Sequence, residues 1–160
     1  MMPYLIDGHN LIPKVRGLKL DTLDVETQLI ELLQLFCRME RRKVEVYFDG
    51  APAGSARERK YGMVTAHFIR KGIPADNAII AHLRMLGKKA RNWTVVTSDR
   101  QILAAAKSFR ATTISSQKFS IQLVEAGESG YASEGGEVDG QMGDEDLKDW
   151  MSLFGIEDDQ

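Results

Sequence analysis

Among 160 residues there is a single cysteine, Cys37, which excludes an intramolecular disulfide and any cysteine-rich zinc site. No apolar run reaches the roughly 18 residues that a membrane helix needs, so an integral membrane protein is not expected. A phosphate-binding glycine motif and a dinucleotide fingerprint are both missing, which leaves nucleotide hydrolysis and redox chemistry without a motif. No internal repeat is visible. The opening Met1-Met2-Pro3-Tyr4-Leu5-Ile6-Asp7 meets a carboxylate almost at once and has neither a basic stretch nor a cleavage site. It does not read as a secretory signal, and the expected location is cytoplasmic. What remains is ordinary for a globular protein: 43% apolar and 28% charged residues, at a length suited to one domain or one domain and a tail.

Charge is short on one side at each end. Residues 125–160 hold twelve acids and one base, Lys148, for a net charge of −11. Residues 1–124 then carry 20 Lys and Arg against 11 Asp and Glu, a net +9. A basic body points to a polyanionic partner, unless the charge is only a solvated face. The tail, mixed with glycines and serines, reads as a flexible linker with a short amphipathic segment at 146–155. Leu147, Trp150, Leu153 and Phe154 would form one apolar stripe on a helix, so Leu147 to Phe154 is a candidate docking segment for a protein partner. An acidic tail tethered in this way could also compete with a polyanionic partner for the basic face, or be inert.

Across residues 1–124, short apolar runs alternate with helical patterns. Strands are expected at Tyr4–Ile6, Val44–Phe48, Met63–Arg70, Trp93–Thr97 and Ala111–Ile114. Helices are expected from about Val25 to Arg42, with Asp24 or Thr22 as cap, from Ala75 to Leu86, from Ser98 to Phe109, and from Ser115 to about Val124. Ala51 to Tyr61, with Pro52, Gly54, Arg57, Arg59 and Lys60, reads as a mobile basic loop. The alternation implies an α/β fold with a mostly parallel sheet of about five strands.

Ligands bind beyond the carboxyl ends of parallel strands. Asp7, Asp49 and Asp99 stand there, and Asp76 begins the helix after the third strand. Carboxylates gathered in one cleft repel unless a cation is present, and hard oxygen donors favour Mg²⁺ or Mn²⁺. Taken singly, Asp7-Gly8 and Asp49-Gly50 are also turn dipeptides, and Asp76 and Asp99 also suit a helix N-terminus. Asn10 could orient a water, bind a phosphate or serve a turn, while Ser98 could cap a helix or position a carboxylate. Arg100 would lie beside the acids, suited to bidentate phosphate contact, or be an exposed helix arginine. His9 could stack on a base, shuttle a proton or lie idle at the surface. His67 reads as packed, His82 as without a role, and Cys37 as a core residue.

Leu5-Ile6-Asp7-Gly8-His9-Asn10-Leu11-Ile12, Val46-Tyr47-Phe48-Asp49-Gly50, Gly72-Ile73-Pro74-Ala75-Asp76 and Val95-Val96-Thr97-Ser98-Asp99-Arg100 occur in the order seen in NYN domains. The chain most resembles their YacP-like branch among the PIN-like ribonucleases, over about residues 3–124. That resemblance implies a three-layer α/β/α PIN-like fold and metal-dependent endoribonuclease activity, with RNA and the ribosome as expected partners. It also implies Asp7, Asp76 and Asp99 as ligands of Mg²⁺ or Mn²⁺, with Asn10 and Asp49 beside them, and Ser98, as a residue that positions a carboxylate, completes the expected catalytic set. Arg57, Arg59, Lys60, Lys71 and Arg100 would then contact the RNA backbone. His9 stands where a tyrosine is common, and Asn77 where a second acid is frequent. This thinner acid set keeps a second reading in view, a non-catalytic RNA- or ribosome-binding module.

Overall fold

The computed structural model describes residues 2–137 apart from Thr22, with side chains placed through Glu128. The first strand, β1 (Tyr4–Asp7), runs directly into a one-turn helix, α1 (Gly8–Leu11), and a 3-10 turn at Ile12–Lys14. Next come α2 (Val25–Glu40), β2 (Val44–Ala51), β3 (Glu58–Tyr61), β4 (Val64–Arg70) and α3 (Ala75–Leu86). A 3-10 segment at Gly87–Asn92 leads to β5 (Thr94–Val96), α4 (Arg100–Ser108), β6 (Thr112–Ile114) and α5 (Ser116–Glu137).

The six strands form one sheet in the order β3-β4-β2-β1-β5-β6, parallel throughout except for β3, which pairs antiparallel with β4. Period-two alternation splits each central strand between two cores. Ile6, Val46, Phe48 and Val96 face α2 and α5, packing with Leu29, Leu33, Phe36 and Phe119. Leu5, Tyr47 and Val95 point the other way, into the layer built on Ile79, Leu83, Ile102 and Ala106 from α3 and α4. The result is the three-layer α/β/α arrangement, with six strands where about five were expected.

Three local readings change. The segment read as a mobile basic loop contains β3: the Arg57 carbonyl accepts from the Phe68 N–H at 2.8 Å, and Glu58 to Tyr61 then pair along β4. A two-residue connection closes this hairpin, and Gly62 supplies its positive φ of 66°. At the head of α2, Asp24 occupies the cap position in a left-handed conformation and makes no side-chain capping bond. Finally, α5 continues beyond Val124. Phe119, Leu123 and Ala126 are all buried against the α2 layer, and this packing carries the helix through a stretch whose glycines disfavour it. The amphipathic segment expected at 146–155 lies outside the described residues.

Candidate active site

Asp7 closes β1 at the carboxyl edge of the sheet, and Gly8 sets the path of the chain beyond it. A Cβ on Gly8 would stand 2.5 Å from the Phe48 ring and 2.8 Å from the Tyr47 carbonyl oxygen. Only glycine lets α1 start this close to β2, and the tight turn gathers Asp7, His9 and Asn10 within four residues. Asp7 Oδ2 accepts the Thr97 hydroxyl at 3.3 Å, and the Asn10 N–H also donates to this carboxylate. Thr97 is fully buried, and its Oγ1 in turn accepts the Asp99 N–H at 3.0 Å. One hydroxyl therefore ties the ends of β1 and β5 together. Asp99 caps α4, its Oδ1 accepting from the Gln101 and Ile102 N–H groups at 2.8 and 3.1 Å.

Burial pushes the Asp7 carboxyl up from 3.8 to about 6. Its bonds to Thr97 and Asn10 oppose the rise, and the neighbouring charges of Asp99 and Asp49 add to it. Three of the expected acids thus act on one another across the edge. Asp49 is held by His9, whose Nδ1 lies 2.5 Å from Asp49 Oδ1 and whose Nε2 lies 2.7 Å from Glu26 Oε2. The hydrogen bond to Glu26, followed by that to Asp49, raises the His9 pKa against the effect of burial. With a carboxylate at each ring nitrogen, the imidazolium donates twice.

Asn10 and Ser98 act as fasteners. Asn10 Oδ1 accepts both the Ser98 N–H at 2.8 Å and the Ser116 hydroxyl at 2.6 Å, while Ser98 Oγ accepts the Ser116 N–H at 3.2 Å. Because a backbone N–H needs an acceptor, the amide orientation is fixed and the Asn10 NH₂ remains as a donor. Asp76 sits in the first turn of α3, where its Oδ1 accepts the Asn77 N–H at 2.9 Å. Among the described residues, no hydrogen bond joins Asp76 to Asp7, Asp49 or Asp99, and no three His, Cys, Asp or Glu side chains form a group able to hold a metal ion. A Mg²⁺-type ion needs less than that, since it keeps several waters and takes one or two carboxylates plus substrate phosphate. Asp7, whose ionisation is opposed by burial and by two neighbouring acids, and Asp99, with Oδ2 outside its capping bonds, suit such an ion.

The cations do not form one patch. Strand alternation sends Arg59 to a 340 Å³ cavity on the α2 side, shared with Glu26 and Asp49. Lys60 lines a groove of 740 Å³ on the α3 side with Glu45, His67 and His82. Arg57 lines a third cavity, Lys71 comes directly after β4, and Arg100 opens α4 next to Asp99.

Three contributors escaped the sequence reading: Thr97, Ser116 and Glu26. Thr97 and Ser116 each stand within a residue or two of an apolar strand run, and a hydroxyl at such a junction was their only signal. His67 is indeed packed, stacked on Tyr47 at 4.3 Å between centroids and bonded to Glu45 at 2.6 Å. His82, by contrast, has a part to play: it is buried and its Nδ1 bonds the Tyr47 hydroxyl at 2.7 Å. Cys37 is buried in the core, where burial pushes its thiol to about 12.

The chain is a doubly covered α/β domain whose sheet is parallel but for β3, and it falls in the nuclease-like NYN class. The model of the YacP-like NYN domain matches residues 4–149, and the chain belongs to that family, which is nuclease-like and RNA-related. Two solved structures of Rae1 (YacP) from Bacillus subtilis are similar to it. One has 21% identity and a TM-score of 0.66, covering 86% of this chain and 83% of the other. The second, a W164L mutant, has 20% identity and a TM-score of 0.65, covering 96% and 92%. No curated protein matches the sequence. Among the described residues, no helix is long and apolar enough to cross a membrane.

Proposed function

We propose that this chain is a metal-dependent endoribonuclease that hydrolyses RNA phosphodiester bonds, with the ribosome as a site where substrate is met. The observation that carries the reading is the half-buried Asp7 carboxylate with Asp99 and Asp49 acting on it, at the edge where parallel sheets bind ligands. Asp7 and Asp99 are the residues to hold Mg²⁺ or Mn²⁺, and Asp76, at the head of α3, is the third candidate ligand on that edge. When bound, such an ion activates water and stabilises charge developing on a phosphate. Thr97 keeps the two carboxylates in register, and Asn10 and Ser98 fix the turn that carries them. The Asn10 NH₂ and Arg100 would donate to phosphate oxygens. Arg57, Arg59, Lys60 and Lys71 contact the RNA backbone farther out.

A specific observation also favours a second reading. The lack of a three-ligand group among the described residues suits an RNA- or ribosome-binding module that does not cleave. Asp99→Asn separates the two, because asparagine caps a helix about as well as aspartate and leaves α4 intact. Expected is RNA cleavage that requires Mg²⁺ or Mn²⁺ and is lost in both Asp99→Asn and Asp7→Asn, with circular dichroism unchanged. Cleavage indifferent to chelator and to both substitutions would overturn the enzyme reading. RNA binding with no cleavage by the parent chain would establish the module.

A further inference from the structure

A cavity of 530 Å³ opens between the 51–57 connection, the last turns of β4 and the head of α3. Its size falls within the range of about 300–1,000 Å³ typical of small-ligand sites. Arg57 and Arg70 both line it, and among the described residues neither has an ion-pair partner. Their backbones are pinned. The Arg57 carbonyl takes the Phe68 N–H at 2.8 Å, and just after Arg70 the Lys71 N–H reaches the Ala51 carbonyl at 2.9 Å. Two arginines on one cavity suit a phosphate, because the single carboxylate there, Glu58, pairs with His67 Nδ1 at 3.7 Å and with neither guanidinium. The walls add an apolar slot from Ile69 and Ile73, and Ile73 is 50% exposed at the lip. Glu58 faces the same space from the sheet and Asn77 from α3, where Asn77 directly follows Asp76.

We infer that this cavity is a nucleotide subsite for single-stranded RNA, with the phosphate on Arg57 and Arg70, the base against Ile69 and Ile73, and the base edge read by Glu58. The inference rests on the RNA reading above and deepens it by giving the substrate one read base beside the acid edge. A carboxylate only accepts hydrogen bonds, so Glu58 favours bases with an exocyclic amine: adenine, cytosine and guanine. Uracil presents a single N–H flanked by two carbonyl oxygens, which face the carboxylate unfavourably. Single-stranded RNA makes such a contact available, because its bases can be splayed out to expose that edge.

The test is an NMR titration of the full chain with AMP, CMP, GMP and UMP and, separately, inorganic phosphate. Expected are chemical-shift changes at Arg57, Arg70 and Ile73, tighter binding of the nucleotides than of phosphate, and UMP the weakest of the four. Arg70→Ala should weaken all four by roughly tenfold or more, as removal of a charged hydrogen bond does. Glu58→Gln, which adds a donor and removes a negative charge from the cavity, should narrow the UMP gap and bind inorganic phosphate at least as tightly as the parent. Equal affinity for phosphate and nucleotides, UMP binding as tightly as the others, or indifference to both substitutions would overturn the subsite. Metal-dependent cleavage of RNA by a chain that binds no mononucleotide here would remove the subsite and leave the nuclease reading standing. Nucleotide binding with no cleavage would do the reverse.

Discussion

Asp7→Asn is expected to stabilise the metal-free protein, and the gain should depend on pH in a defined way. Burial raises the folded-state pKa of Asp7 from 3.8 to about 6, so the native state binds its proton more tightly than the unfolded chain does. For an acid shifted upward, stability is highest below the unfolded pKa and is lost as pH rises from about 4 to about 6. A shift of roughly two units corresponds to about 3 kcal/mol of lost stability at neutral pH. Asparagine keeps an oxygen to accept the Thr97 hydroxyl and the Asn10 N–H, and it carries no charge to bury. In urea denaturation with chelator at pH 8, the variant should therefore exceed the parent by up to ~3 kcal/mol, or roughly 6–12 °C in Tm. The gap should shrink through pH 6 and close below pH 4. Millimolar Mg²⁺ should then raise the stability of the parent and not of Asp7→Asn, by the mass-action effect of a ligand bound only to the native state. A variant no more stable than the parent at pH 8, or an advantage that stays constant from pH 4 to pH 8, would refute the reasoning.

Gly8→Ala should cost about 1–3 kcal/mol in denaturant melts, because its Cβ meets the Tyr47 carbonyl, which cannot swing away; a melt matching the parent would contradict the close approach. His9 should titrate above 6.5 by NMR, and Glu26→Gln should lower its midpoint more than Asp49→Asn does. The stability it confers is present below pH 6.5 and fades as pH climbs through the raised folded value. Replacing Arg57, Arg59 and Lys60 together by alanine should flatten the dependence of log K for RNA on log salt, by about 0.7 for each phosphate no longer neutralised; an unchanged slope would show that these cations do not touch the strand.

Much of the fold is legible in the sequence because its strands begin as short apolar runs that meet an acid, as in Leu5-Ile6-Asp7 and Tyr47-Phe48-Asp49, although β2 runs on past Asp49 to Ala51. The α2 to α4 patterns are equally clear, with Leu29, Leu33 and Phe36 at helical spacing. Glu58-Arg59-Lys60-Tyr61 shows no alternation, and it becomes a strand only because the Gly62 turn folds it back on β4. That is a tertiary event, invisible to periodicity. The site divides in the same way. The placement of Asp7 and Asp99 on one edge comes from where the strands stop. The capture of His9 between Asp49 and Glu26 depends on a register shift between Phe48 and Ala51, with Gly50 at a φ of 80°, and on the loop that leads into α2. Neither can be read from spacing. Thr97 and Ser116 acquire their roles only when β5, α5 and α1 meet.

The antiparallel strand at the margin has a consequence for how this protein keeps to itself. Among the described residues β3 is the last strand on its side, so its outer rank of backbone N–H and C=O groups can template another extended chain. Three of its four residues, Glu58, Arg59 and Lys60, are charged and exposed, and such side chains discourage edge-to-edge growth. The opposite margin, β6, has only three residues and offers little to template. The cations proposed to meet RNA therefore also guard the longer open edge. Selection for a tighter or looser grip on RNA at Arg59 and Lys60 acts at the same time on self-association, so neutral substitutions there carry a colloidal cost that no binding assay would register.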